Sequence, residues 1–160
     1  MKIASFNING IKARIQLLKE WLKKENPDII GLQELKSDNS NLNKNMFADL
    51  GYSFAYNGQK SYNGCGILSK HEIKNTSYFF NGIQEDPQKR WISAEINEIL
   101  ICNLYLPNGN PLGTEKFEYK IHWMNLLYKY LKELQSIGKP IVIMGDFNII
   151  PHDIDCKSPK

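Results

Sequence analysis

The chain has only three cysteines among its 160 residues, and that odd number sits in unrelated contexts. Cys65, Cys102 and Cys156 therefore read as buried or free thiols in a reducing cytoplasm, not as a disulfide frame. Histidine is equally sparse. His71, His122 and His152 are scattered, and none has a second His or Cys at zinc-ligand spacing, which excludes a zinc site of the usual kinds. No apolar run approaches the length of a membrane span. The opening residues, Met1 to Phe6, lead into a strand-like run without the apolar stretch and cleavage site of a signal peptide, so the expectation is a cytoplasmic protein with no membrane attachment. Charge of one sign is lacking as well. Twenty Lys and Arg face 17 Asp and Glu for a net +3, which tolerates a polyanionic partner without arguing for one. No glycine loop of the nucleotide-binding kinds and no serine or cysteine in a nucleophile elbow is present. His152-Asp153-Ile154-Asp155 reads as a polar loop, and Asp153 to Lys160 as a terminus that builds no element.

What is present belongs to a globular domain. The hydrophobic share is 42% and the aromatic share 11%, and the length suits one core. Strand-like and helix-like segments alternate. Ile3 to Ile8 is β-like, and Ile11, Ile15, Leu18 and Leu22 then recur at helical spacing until Asn26-Pro27-Asp28 stops them. Ile29 to Leu32 is a buried strand. Leu42, Met46 and Leu50 predict a second helix closed by Gly51. Phe54–Tyr56, Gly66–Leu68, Ile92–Ile96 and Ile99–Leu106 are strand candidates, with a tight turn at Asn97-Glu98. A third helix, capped by Thr114, would bury Phe117, Ile121, Met124, Tyr128 and Leu131 and end at Gly138 and Pro140. Ile141 to Met144 reads as a central strand apolar on both faces. This order of elements predicts an α/β domain with a mixed sheet.

Several of these strands end in groups suited to metal or phosphate chemistry. Asn7 follows the first, Glu34 follows Ile29–Gln33, Tyr105 comes late in the run from Ile99, and Asp146 and Asn148 follow Ile141–Gly145. Glu34 is suited to hold a hard cation that keeps most of its water and takes few protein ligands. Asp146 is suited to orient an attacking water or assist the departing oxygen. Asn7 and Asn148 are neutral groups that contact phosphate or orient neighbours, and the Tyr105 hydroxyl can stabilise phosphoryl charge. Gly145 would allow a sharp turn before Asp146. Taken singly each position has a plainer reading. An Asn or Asp after a strand is usually a turn residue bonding its own backbone, a Glu there is a solvated rim charge, and a Tyr is packing. Shared placement on one rim is what raises the set above its members.

At these residues the sequence resembles the exonuclease III and apurinic/apyrimidinic endonuclease family. Lys2-Ile3-Ala4-Ser5-Phe6-Asn7-Ile8-Asn9-Gly10-Ile11 is similar to its opening, and Gly31-Leu32-Gln33-Glu34-Leu35-Lys36 to its glutamate motif, with Leu35 where Thr is commoner. Tyr62 to Lys70 resembles its Asn-Gly strand motif. Tyr105-Leu106-Pro107-Asn108-Gly109 and Gly145-Asp146-Phe147-Asn148-Ile149-Ile150-Pro151 resemble two more, in the family's order. The resemblance implies a four-layer α-β-β-α sandwich (DNase I-like) with its active site on one rim. It implies hydrolysis of DNA phosphodiesters dependent on Mg²⁺, with Mn²⁺ as the alternative ion, at abasic sites and 3′ ends of double-stranded DNA. By motif position it makes Asn7, Glu34, Asp146 and Asn148 the metal site, Tyr105, Asp146 and Asn148 the catalytic groups, and Arg90 a DNA contact.

The family's pattern continues to a further aspartate and a Ser-Asp-His motif, neither of which has a counterpart here. The expectation is that residues 1–160 form the N-terminal part of one such domain, weakly active alone because catalytic groups act as a unit. Its sheet would then expose an apolar inner face, and a complementing C-terminal chain would be its partner. Two other readings stand beside this one: a phosphoesterase of the same superfamily acting on another substrate such as a lipid, and a non-catalytic DNA- or partner-binding module.

Overall fold

The computed structural model describes residues 1–155. Cys156, expected as a free thiol, lies outside them, whereas Cys65 and Cys102 are free and buried. The order is β1 (Ile3–Asn7), α1 (Ile11–Glu25), β2 (Ile29–Gln33), β3 (Ser53–Asn57), β4 (Cys65–Ser69), β5 (Lys74–Ser77), β6 (Trp91–Ile96), β7 (Ile99–Tyr105), α2 (Glu115–Gln135) and β8 (Ile141–Asp146). Helix α1 ends where Asn26 adopts a left-handed conformation ahead of Pro27. The Asn97-Glu98 turn has positive φ at both residues, 51° and 64°, as a two-residue hairpin between right-twisted strands requires.

Two four-stranded sheets form, ordered β1-β2-β4-β3 and β5-β6-β7-β8. Each is mixed: β1 with β2 and β7 with β8 run parallel, and the remaining pairs antiparallel. Period-two alternation sends each strand's residues to opposite sides. Ile30, Leu32 and Leu68 meet Ile11, Leu18 and Leu22 of α1. Ile29, Cys65, Ile67, Ile92, Ala94, Ile101 and Met144 fill the space between the sheets. Trp91, Cys102 and Leu104 meet Trp123, Leu127 and Leu134 of α2. The layers therefore run helix, sheet, sheet, helix, which is the sandwich that the motifs implied. Among the described residues no helix is long and apolar enough to cross a membrane.

Five expectations are corrected. The stretch through Leu42, Met46 and Leu50 is not a helix but contains two short 3₁₀ turns, Asn39–Asn41 and Ala48–Leu50. Its asparagines bond nearby backbone instead, with Asn43 accepting from the Asn45 N–H and Asn39 from the Gly58 N–H. The buried stripe of α2 is Lys120, Trp123, Leu127 and Leu134, while Ile121 and Tyr128 face solvent. Apolar residues surround this helix, so its sequence left the phase open. Among the described residues strand β8 is an edge strand and not a central one, paired with β7 alone, and Ile143 is 37% exposed. The inner sheet faces are covered, because each sheet covers the other. What stays open is one flank, where edge strands β1 and β8 lie together with Phe6, Ile143, Phe147, Ile149 and Ile150 exposed. Finally, Asp153–Asp155 make a 3₁₀ turn. Strand β5, polar and short, had no sequence signal and owes its existence to pairing with β6.

Candidate functional site

The ends of β1, β2, β7 and β8 converge at one rim, and they do so across the two sheets. The first sheet supplies Asn7 and Glu34, the second Tyr105 and Asp146. The Asn7 side-chain nitrogen donates to Glu34 Oε1 at 2.9 Å and to Asp146 Oδ2 at 2.8 Å, so one amide joins both carboxylates. The Tyr105 hydroxyl donates to the same Glu34 Oε1 at 2.9 Å. Asn148 lies beside them, its backbone N–H on Asp146 Oδ1 at 2.9 Å and its side-chain nitrogen on the Leu106 carbonyl at 2.7 Å. Five of the six residues singled out from sequence thus form one connected cluster.

Local backbone geometry makes this possible. Glu34 and Lys36 both take positive φ, 55° and 49°, directly after β2. Non-glycine residues persist there only when the surroundings hold them. The surroundings do: the Gly10 and Ile11 N–H groups bond the Glu34 and Leu35 carbonyls, and the Leu35 and Lys36 N–H groups bond Gly64 and Asn63. The opening motif and the Asn-Gly motif are thereby the two walls that fix the glutamate. Gly145 serves a close approach and not the turn expected of it. It pairs with Leu104 inside β8, and a Cβ there would collide with the Leu104 carbonyl. A buried polar link ties the sheets just behind the rim, where Gln33 donates to Asn103 at 2.6 Å and Asn103 donates to the Leu32 and Gly66 carbonyls.

The electrostatics follow from these bonds. Burial opposes ionisation of Glu34, but hydrogen bonds from Asn7, Lys36 and Tyr105 outweigh it and hold the carboxyl below its usual range. Burial pushes the Tyr105 phenol up to about 12, helped by its bond to Glu34 and only partly offset by Arg90 and Asn148. Tyr105 is therefore a neutral donor at any ordinary pH. Arg90 stands behind it and not among the carboxylates. Its guanidinium lies 4.9 Å from the Tyr105 ring centre, with Nε on Gln88 and Nη1 on the Tyr105 carbonyl.

Three further groups were not assigned from sequence. Lys36 Nζ lies 2.7 Å from Glu34 Oε2 and donates to Asn9 Oδ1 at 2.5 Å. Asn108 donates to Asn148 Oδ1 at 3.4 Å. Both stand inside motifs already noted, which was the available signal. Lys120 reaches the Asn148 carbonyl from α2 and had none, since apolar residues all round that helix leave its phase open. A hollow of about 640 Å³ lies on the opposite flank by Tyr52, Tyr56 and Tyr78 and contains none of these residues.

Among the described residues no group of three His, Cys, Asp or Glu side chains gathers as a metal cage. Two hard carboxylates on a partly exposed rim still suit a hard divalent cation that takes few protein ligands and keeps several waters. The Lys36 ammonium pairs with Glu34 Oε2 and offsets part of the negative charge of this rim.

Comparison with known proteins matches residues 4–160 to the Endonuclease/Exonuclease/phosphatase family. The chain is 38% identical over 97% of its length to an exodeoxyribonuclease III from Haemophilus influenzae, of which it covers 60%. It superposes with a TM-score of 0.92 and 32% identity on a 3′ phosphatase from Neisseria bound to a product DNA hairpin, covering 99% of this chain and 62% of that one. It does so equally, at 35% identity, on an AP endonuclease from Archaeoglobus fulgidus, again covering 62% of it. The chain thus spans about three-fifths of these relatives' lengths.

Proposed function

Because the chain belongs to the endonuclease/exonuclease/phosphatase family, we propose that residues 1–160 are the N-terminal part of a single such domain whose function is hydrolysis of DNA phosphodiesters at abasic sites and 3′ ends. The observation that carries this reading is the Asn7 amide bonded to Glu34 and Asp146 at once, with the Tyr105 phenol on the same glutamate. Glu34 and Asp146, flanked by Asn7 and Asn148, would hold Mg²⁺, or Mn²⁺ in its place. When bound, such an ion polarises a phosphoryl oxygen.

The chain's own residues supply the rest. Tyr105, neutral up to about 12, offers its hydroxyl proton to a phosphoryl oxygen as negative charge grows there. Asp146 is aimed by Asn7 on one oxygen and Asn148 on the other, so its carboxylate takes a proton from a water that adds to phosphorus, while the departing oxygen keeps the electron pair of the broken bond and is protonated from solvent. Arg90, its guanidinium 4.9 Å from the Tyr105 ring centre, contacts the DNA backbone beside the scissile phosphate. The complementing C-terminal portion, in the same or another chain, seats on the open flank of β1 and β8. An apolar groove of about 230 Å³ lined by Phe6, Leu17 and Trp21 beside β1 supports this reading.

Fluorescence anisotropy and gel incision on an abasic duplex with Mg²⁺ test this. The chain alone should bind DNA with affinity that falls steeply with salt and should cleave little. Metal-dependent turnover at ordinary rates would overturn the need for a complement. Hydrolysis of a phosphoinositide or sphingomyelin, with no DNA binding, would overturn the substrate class.

A further inference from the structure

Lys120 is the one charged side chain in the buried set of the described residues, 9% exposed. An ammonium taken out of water is costly unless its donors are bonded. Its Nζ donates to the Asn108 carbonyl at 3.1 Å and to the Asn148 carbonyl at 2.8 Å. Those carbonyls belong to different loops, one after β7 and one after β8. The lysine stem crosses Gly109, which has φ +76°, and a Cβ there would lie 2.5 Å from Lys120 Cδ. The glycine of Pro107-Asn108-Gly109 therefore keeps open the lane through which the lysine reaches both loops.

Asn148 is where this contact matters. It holds a left-handed φ of +48°, a conformation open to asparagine, and hydrogen bonds fix it there. Each of its polar groups is bonded: the N–H to Asp146, the side-chain nitrogen to Leu106, the side-chain oxygen to Asn108, and the carbonyl to Lys120. Of these partners only Lys120 comes from a helix, and α2 is anchored in the core through Trp123 and Leu127.

We propose that Lys120 is a positioning residue. Its ammonium clamps the two loop carbonyls from behind and so sets the Asn148 N–H against the Asp146 carboxylate. The importance of that setting rests on the phosphodiesterase reading of the rim. The competing account is a lysine that matters only through the packing of its methylenes on Gly109.

The test uses the full chain, in amide hydrogen exchange and ¹H–¹⁵N spectra of Lys120→Met and Lys120→Arg. The Met variant keeps most of the stem and loses the donors, and the Arg variant keeps a cationic donor. Loss of hydrogen bonds to a charged group should speed exchange of the Asn148 amide by about tenfold or more in the Met variant, with β2 amides changed less than about twofold and substantial rescue by Arg. Wild-type exchange at Asn148 in the Met variant would overturn the proposal, as would Met and Arg variants that behave alike. If the Met variant does not fold, Gly109→Ala carries the test. Displacing the stem should reproduce the Asn148 change, and an unaltered Asn148 amide would count against the clamp. Mn²⁺ titration of the wild type separates the two layers. Absence of paramagnetic broadening at Asn7 and Glu34 would sink the metal-site reading while leaving the Lys120 result to stand on its own.

Discussion

Strands β2 and β8 look alike in sequence, each an apolar run that delivers a carboxylate, yet the molecule treats them differently. β2 is buried at all five residues, between β1 and β4 within its sheet and between α1 and the second sheet across it. Among the described residues β8 has a neighbour on one side only, and its Ile143 is 37% exposed on the open flank. Glu34, just past the end of β2, is gripped by Asn7, Lys36 and Tyr105, whereas Asp146 is held by Asn7 and Asn148. A rigid carboxylate and a less enclosed one stand side by side. Under the proposed function, the first would anchor a cation and the second would handle a water.

The contrast can be broken first by stability. Leu32→Ala in β2 should cost about 2–5 kcal/mol in urea denaturation, because the hole left between α1 and the sheet cannot collapse. Ile143→Ala in β8 should cost less, about 1 kcal/mol, since more than a third of Ile143 is already open to solvent on the flank. Equal losses would mean that β8 is as buried in solution as β2. Metal binding sharpens the same comparison. Calorimetric Mn²⁺ affinity should fall on the order of 100-fold for Glu34→Gln and about tenfold for Asp146→Asn, extrapolating from the 10–100-fold typical of supporting groups. The reverse order would make the edge carboxylate the main ligand.

The smallest effect is on pH. The Glu34 carboxyl is lowered from an ordinary 4.5, so its ionisation contributes stability that is fully present above about that pH and is lost as pH falls through the folded value. The melting temperature of the wild type relative to Glu34→Gln should therefore decline on acidification below about pH 4.5 and stay flat above it. A difference that grows on acidification would show that burial, not the three donors, dominates at this carboxyl.

Much of the fold was legible along the chain. Period-two runs such as Ile92–Ile96 and the 11, 15, 18, 22 spacing of α1 report a buried face directly, because side-chain direction is set by local backbone geometry. The stops at Asn26-Pro27 and Asn97-Glu98 are local for the same reason. Elements whose existence depends on neighbours were not legible. β5 exists by pairing with β6, the Asn-rich stretch after Asp38 resolves into 3₁₀ turns, and the phase of α2 is set by which apolar residues the second sheet covers.

The cluster divides in the same way. Residue type and placement at strand ends nominated Asn7, Glu34, Tyr105, Asp146 and Asn148, since the need for hard oxygen and neutral donors is a matter of chemistry visible in the letters. That these groups come from two sheets and meet through a single Asn7 nitrogen could emerge only once the sheets were stacked, with Gln33 and Asn103 bonded between them. The same stacking covers the apolar faces expected to lie bare and moves the exposed surface to one flank. Contacts between residues 139 apart, such as Asn7 with Asp146, obey no sequence period. They are decided by how whole layers settle against one another.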